Sequence, residues 1–499
     1  MSDPAAQGER AASGIPGLDH LLRGGFPSSR LHLIQGDPGT GKTTLALQFL
    51  RTGVARRGEP CLYVTLSETK AELEAVAQSH GWTLDGIDIY ELTPPGALED
   101  EHYTLYHPAE IELAEMVKGL LQATERLQPV RVVLDSLSEM RLLARDPLRY
   151  RRQILGLKAY FAARSCTVLM LDDRTSDEQD QQLQSIAHSV VQLEHMAFEY
   201  GRSRRRIRVL KVRGVPGIEG YHDFKIRTGG LVVYPQLVPA QRGAVDLPQP
   251  VTSGVAELEA LTGGGLTPGT CTLLMGPAGV GKSSVAAQYL ASGAIEAPAA
   301  AFLFDERRKT FLQRNAALGM NFTSHLADGR VTIDQIEPGD LSPGEFAHCV
   351  CEKVDGRGAR LVLIDSLNGY LNAIPTQHSP LVRMHELIAY LNERDVTTIL
   401  VAAQHGIMGM NMAAPIDVTY LADAVMLFRF FEAGGNVRKA VSVVKKRTGS
   451  HETAIREFAI GPEGIRVGKP LADFHGVMTG VPTYHGGPST LLRSDDRGE

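Results

Sequence analysis

The sequence predicts two tandem α/β domains, each a mostly parallel sheet flanked by helices. Three observations predict it. A glycine-rich phosphate-loop pattern occurs twice, as Gly36-Asp37-Pro38-Gly39-Thr40-Gly41-Lys42-Thr43 and as Gly276-Pro277-Ala278-Gly279-Val280-Gly281-Lys282-Ser283. The copies stand 240 residues apart (276 − 36), and the same interval separates Ser13-Gly14-Ile15 from Ser253-Gly254-Val255, so a whole domain is duplicated. Within each half, short apolar runs alternate with helical patterns, as expected of strands joined by crossover helices.

In the first half the runs predict strands over Arg30–Gln35, Cys61–Leu66, Val130–Leu134 and Thr167–Leu171. In the second they predict Thr272–Met275, Ala301–Phe304, Arg360–Ile364 and Thr398–Ala402. Their length and flanking turns favour strands over buried helix segments. The domains are expected over residues 13–235 and 251–470, behind a flexible start at 1–12. A linker follows at 236–250, where Pro239, Gly243, Pro248 and Pro250 cluster, and a Gly- and Pro-rich tail at 471–499 is expected to be mobile beyond Tyr484.

Each loop follows an apolar strand and precedes a helix, the context that anion binding requires. Gly36, Gly39 and Gly41, and Gly276, Gly279 and Gly281, let backbone N–H groups converge on a phosphate without a Cβ clash. Thr40 and Val280 complete the turns, and the helices behind them, opening through Thr44 and Ser284, add a positive end. Lys42 and Lys282 reach the β- and γ-phosphates, while Thr43 and Ser283 offer hydroxyls to Mg²⁺. The cofactors expected are therefore ATP and Mg²⁺.

Magnesium also needs a carboxylate, and Val132-Val133-Leu134-Asp135 and Leu361-Val362-Leu363-Ile364-Asp365 end in one. Hydrolysis needs a base or a residue that orients water. Glu68, after Ser67, and the pair Asp305-Glu306 stand where the second strand of each half ends. Ser67 alternatively caps a helix with an acidic first turn. A basic strand-and-turn recurs late in each half, with Lys211 and Arg213 in one and Lys445 and Arg447 in the other. The run Arg202–Arg208 lies upstream of the first.

Composition sets bounds. The chain has 499 residues, 43% hydrophobic and 22% charged, with a net charge of −6. That balance fits a soluble globular protein and disfavours a nucleic-acid partner. The five cysteines read as core residues in a reducing compartment, and Cys349-Val350-Cys351 lacks the spacing of a zinc site. Met1-Ser2-Asp3-Pro4 carries no signal segment and no apolar run reaches bilayer length, so a cytoplasmic protein without membrane contact is expected.

From Ser13 to about Tyr484 the chain resembles the KaiC family of RecA-like ATPases. The marks are both phosphate loops and their Ser-Gly lead-ins, Lys211-Val212-Arg213-Gly214 and Leu341-Ser342-Pro343-Gly344-Glu345-Phe346. Ala454-Ile455-Arg456-Glu457-Phe458 and Gly476-Val477-Met478-Thr479-Gly480-Val481-Pro482 add to them. The resemblance implies a double-ring homohexamer with ATP between neighbouring subunits. It implies trans-acting cations at Lys211, Arg213, Lys445 and Arg447. It also implies a slow ATPase in the first domain and an autokinase and autophosphatase in the second, working with unidentified signalling or timing proteins. Two departures stand out. The family's glutamate pair is Ser67-Glu68 in one half and Asp305-Glu306 in the other. Its Ser-Thr acceptor pair falls on Thr419-Tyr420. A DNA-dependent recombination or helicase-type ATPase and a nucleotide-gated scaffold are the competing readings.

Overall fold

In a computed structural model, the described residues are 9–92, 108–174, 183–197, 203–237, 249–337, 339, 341–374, 379–404, 418–478 and 483–484, without the side chains of 108–112. The chain divides into two compact units, Met1–Gln236 and Leu237–Glu499. The boundary meets the front of the expected linker, most of which lies outside the described residues, as does the chain beyond Tyr484.

The first unit opens with β1 (Arg10–Ala11) paired to β2 (Phe26–Pro27), so regular structure begins ahead of residue 13. Its main strands are β3 (Leu31–Gly36), β4 (Cys61–Thr65), β5 (Ile87–Glu91), β6 (Arg131–Asp135), β7 (Thr167–Asp172) and β8 (Ser189–Met196). They continue as β9 (Arg204–Val212), β10 (His222–Arg227) and β11 (Gly230–Tyr234). They form one nine-stranded sheet in the order β11-β10-β9-β8-β3-β7-β6-β4-β5. Strands β5 to β8 are parallel to their neighbours around the central β3, and β8 to β11 form an antiparallel wing.

The second unit repeats this arrangement. Its strands are β12 (Cys271–Gly276), β13 (Ala299–Leu303), β14 (Val331–Gln335), β15 (Leu361–Asp365), β16 (Thr397–Ala403) and β17 (Ala424–Ala433). Strands β18 (Asn436–Lys446), β19 (Arg456–Gly461) and β20 (Gly464–Pro470) complete it, in the order β14-β13-β15-β16-β12-β17-β18-β19-β20. These are tandem RecA-like domains. A short β21 (Phe474–His475) pairs with β22 (Thr483–Tyr484), and Leu471, Phe474 and Val477 pack against Phe431 and Ala440. The second domain therefore extends past residue 470 and uses part of the expected tail.

Alternation along the buried strands makes two cores per sheet. In the first unit Ile34, Tyr63, Val133 and Leu169 face one helical layer, while Leu33, Leu62, Val132 and Val168 face the other. Because both faces are covered, these strands read as continuous apolar runs. Each fully buried Leu or Val contributes roughly 1.5–3 kcal/mol by leaving water. The layering holds the carboxyl ends of β3, β4, β6 and β7 side by side, which is where ligands bind in such sheets.

Candidate nucleotide sites

In the first unit β3 runs into the loop and the helix Lys42–Arg57. Gly39 and Gly41 have φ of 76° and 101°, a region that other L-residues avoid. At Gly36 the limit is space, since a Cβ would lie 2.8 Å from the carbonyl oxygen of Leu193. Thr40 is buried and its hydroxyl donates to the Asp37 carbonyl at 2.8 Å, which closes the turn. Lys42 Nζ lies over the loop, donating to the carbonyls of Gly36 at 2.7 Å and Asp37 at 3.1 Å, and contacts Asp173 Oδ1 at 2.8 Å. Thr44, one residue further into the helix, faces His80.

Thr43 Oγ1 donates to Asp135 Oδ2 at 3.2 Å, and the Tyr63 hydroxyl donates to the same oxygen at 2.5 Å. Burial pushes the Asp135 carboxyl up from its ordinary range, against the pull of these two donors and of Lys42. A neighbouring cation relieves that cost. The donor set is hard oxygen, a hydroxyl and a carboxylate beside a phosphate loop, which suits Mg²⁺ sharing its shell with phosphates and water. No cluster of three or more His, Cys, Asp or Glu suited to a metal occurs among the described residues.

Glu68 sits where β4 ends. Its backbone N–H is held by Thr65 Oγ1 at 2.9 Å, and its buried Oε2 has no hydrogen-bond partner among the described residues. Burial, then the charges of Asp135 and Glu72, raise its pKa. The adjacent helix Lys70–Ser79 is capped by Thr69 in a capping box with Glu72, so Ser67 is not the cap.

The second site has the same frame and different partners. Gly279 and Gly281 have φ of 76° and 115°, and a Cβ on Gly276 would meet the Phe428 carbonyl oxygen at 2.5 Å. Val280 is fully buried where Thr40 stands in the first loop. Lys282 donates to the carbonyls of Gly276 at 2.9 Å and Pro277 at 2.7 Å, and burial lowers its pKa to about 8. Ser283 stands beside Asp365, whose pKa burial raises against the pull of Ser283.

The two second-strand acids are both engaged. Asp305 accepts from Ser366, the residue after Asp365. Glu306 takes a two-pronged grip from Arg314, at 3.1 and 2.8 Å, and Arg314 also donates to Ser284 Oγ at 2.9 Å. Arg314 thus ties the carboxylate to the helix behind the phosphate loop.

The late basic residues stand away from the phosphate loop of their own domain. Val212 pairs with Ser189, which pairs with His32, four residues before Gly36. That puts Lys211 and Arg213 about 13 Å along the sheet from their own loop. Lys211 donates to the Gln184 carbonyl and Arg213 to that of Ser185. In the second unit Lys446 pairs with Ala424, which pairs with Thr272, again four residues before the loop. Lys445 Nζ donates to the carbonyls of Thr419 and Ala422, each at 2.8 Å, and Arg447 contacts Asp423 at 3.3 Å. Thr419 and Tyr420 lie on a short 3-10 turn, Thr419–Leu421, with Tyr420 49% exposed.

Within the arginine run, Arg206 and Arg208 are drawn into the fold. Arg206 pairs with Glu194 at 2.6 Å, Arg208 bonds Gln192 at 2.9 Å, and both stack on Tyr221. Arg205 turns the other way and reaches the Gly39 carbonyl at 3.4 Å, placing a cation at the first loop. Arg205, Arg314, Tyr63 and Asp173 are the site residues that sequence reading missed. A β-strand count through Arg204–Val212 separates Arg205 from Arg206 and Arg208, but nothing local marks the other three.

Two loop-and-carboxylate sites on RecA-like sheets define an ATPase with paired nucleotide sites. The family model described as "ATPase: KaiC" matches residues 11–238 and 251–472. The chain belongs to the KaiC family of ATPases, and ATP binding follows from that membership. It is 26% identical over 484 residues to the circadian clock oscillator protein KaiC of Parathermosynechococcus lividus, covering 94% of this chain and 87% of that protein. It is 24% identical over 497 residues to the circadian clock protein KaiC3 of Synechocystis sp., covering 97% of each. KaiC of Synechococcus elongatus is 24% identical over 483 residues, covering 94% of this chain and 91% of that protein. No helix among the described residues is long and apolar enough to cross a membrane.

Proposed function

We propose that the protein is a Mg-ATP-dependent ATPase that forms a double-ring homohexamer, with serine/threonine autokinase and autophosphatase capacity in the second domain. Its setting is a signalling or circadian-type timing assembly in the cytoplasm, with protein partners and without nucleic acid or membrane. The observation that carries the reading is the position of the late cations. Lys211, Arg213, Lys445 and Arg447 stand at the sheet end opposite the phosphate loop of their own domain, away from the nucleotide that loop would hold, as cations serving another subunit's nucleotide would be.

In this reading Thr43 with Asp135, and Ser283 with Asp365, would hold Mg²⁺, which would supply charge neutralisation at the phosphates. The loop N–H groups and Lys42 or Lys282 fix the triphosphate. Glu68 in one ring and Asp305-Glu306 in the other accept a proton from the attacking hydroxyl or water. The partner's cations balance the transferred phosphoryl group. Thr419, beside Lys445 at the sheet end that faces a neighbour, is the preferred acceptor, with Tyr420 next to it.

Native mass spectrometry with ATP tests the assembly, which should weigh six chains carrying nucleotide in both rings. Incubation with γ-labelled ATP should mark Thr419 or Tyr420, and Lys282→Ala should abolish the label. Hydrolysis without any label would reduce the reading to ATPase alone. A monomer with full activity would remove the trans cations from it.

A further inference from the structure

The two phosphate-loop lysines differ in one partner. Lys42 Nζ contacts the carboxylate of Asp173 at 2.8 Å, whereas Lys282 contacts only loop carbonyls among the described residues. The register fixes what replaces Asp173. Gln35 pairs with Asp172 and Met275 with Ala402, so Asp173 corresponds to Ala403. The neighbours agree. The backbone N–H of Asp173 donates to Ser138 Oγ at 3.2 Å, and that of Ala403 donates to Asn368 Oδ1 at 2.7 Å. Ser138 and Asn368 each lie three residues beyond their metal-side aspartate, so one backbone arrangement carries an acid in one domain and a methyl group in the other.

Asp173 is held in place. Ser138 Oγ donates to its Oδ2 at 2.9 Å while Lys42 takes Oδ1. Burial alone would raise this carboxyl, but hydrogen bonds from Lys42 and Ser138 and the charges of Lys42 and Arg141 keep it below the usual range. Next to it Asp172, fully buried, is paired with Arg141 at 2.6 Å, which anchors the strand end from behind.

A lysine ammonium has one charge to give. A polyphosphate that recruits Lys42 must draw it from Asp173 and then tolerate that carboxylate nearby, a like-charge contact that the second loop does not impose. The geometry points to Asp173 as an affinity-setting residue of the first site, a resident anion that competes with the nucleotide's phosphates for Lys42. The inference rests on the reading of both loops as ATP sites.

The test uses the full chain with one loop silenced at a time and a non-hydrolysable ATP analogue as probe, with binding read by equilibrium titration. On a Lys282→Ala background, Asp173→Asn should lower the Kd of the first loop about tenfold, the scale of one partly exposed ion pair with its like-charge repulsion. On a Lys42→Ala background, Ala403→Asp should raise the Kd of the second loop by a similar factor. Thermal melting controls for folding, and the gain-of-carboxylate variant keeps the test decisive if Asp173→Asn does not fold. An unchanged or weaker first-loop affinity in Asp173→Asn overturns the inference, as does an unchanged second-loop affinity in Ala403→Asp. If the Lys282→Ala parent binds no probe at all, the nucleotide reading of the first loop fails and takes this one with it.

Discussion

The two halves match strand for strand, yet the acids at their nucleotide sites live under different constraints. In the first, Glu68 ends in a buried oxygen without a hydrogen-bond partner among the described residues, and its pKa is raised by burial. In the second, Glu306 is gripped by Arg314 and Asp305 by Ser366. The shared scaffold decides where the carboxylates stand, and their immediate partners decide which of them is held by a hydrogen bond or an ion pair. The loss of the first acid at Ser67 points to a weak N-terminal hydrolase. The environment of Glu68 argues the other way, because a carboxyl raised toward neutrality is a better base.

Four experiments would sharpen or break that contrast. The largest effect belongs to the loops: Lys42→Ala and Lys282→Ala should each lower nucleotide affinity at their own site by about 100-fold or more, leaving the other site intact. Counting bound nucleotides by native mass spectrometry checks it, and loss at both sites from one substitution would show that the halves are not independent. Next, on a Lys282→Ala background, Glu68→Gln should slow steady-state hydrolysis by about 10²- to 10⁴-fold if Glu68 is the base. An unaltered rate would leave the first domain's water without an assigned base.

The third concerns pH. A base works in its ionised form, so hydrolysis falls as pH drops through its pKa. With Glu68 raised by burial, the acid limb of the first domain, read in the rate profile of the Lys282→Ala variant, should lie above the ordinary glutamate range. An acid limb at the ordinary glutamate position would show that burial does not govern Glu68. The smallest effect is Arg314→Ala. The pair is about a quarter exposed on each side, so solvent screening holds its loss to about 1 kcal/mol of stability, read as a modest fall in melting temperature.

Much of this was legible in the chain. The eight expected strands are all present, with ends shifted by one or two residues, because strands covered on both faces are written as unbroken apolar runs. Strands at the sheet edges were not. Ile87–Glu91 alternates buried and exposed residues and contains two acids, so it carries no such run, and Val331–Gln335 reads alike. The basic turns were visible as motifs, but the long antiparallel strand β9 behind the first was read as a run of arginines. Glu306 stands in the bend ahead of the helix Arg308–Ala316 and Arg314 in the last turn of that helix, and Tyr63 meets Asp135 across 72 residues of sequence. Contacts of that kind depend on register, which spacing alone does not supply. The helix cap was misplaced by two residues, at Ser67, because Ser67 and Thr69 both satisfy the local pattern and only Thr69 has Glu72 three positions on.

The far-end placement of Lys211 and Arg213 carries a genetic corollary. A chain damaged in its own phosphate loop could still lend its cations, and a chain stripped of its cations could still hold nucleotide. If the sites are shared across subunits, mixing Lys42→Ala with Arg213→Ala protein should restore some turnover that neither shows alone, whereas an excess of a doubly crippled copy should poison the intact population.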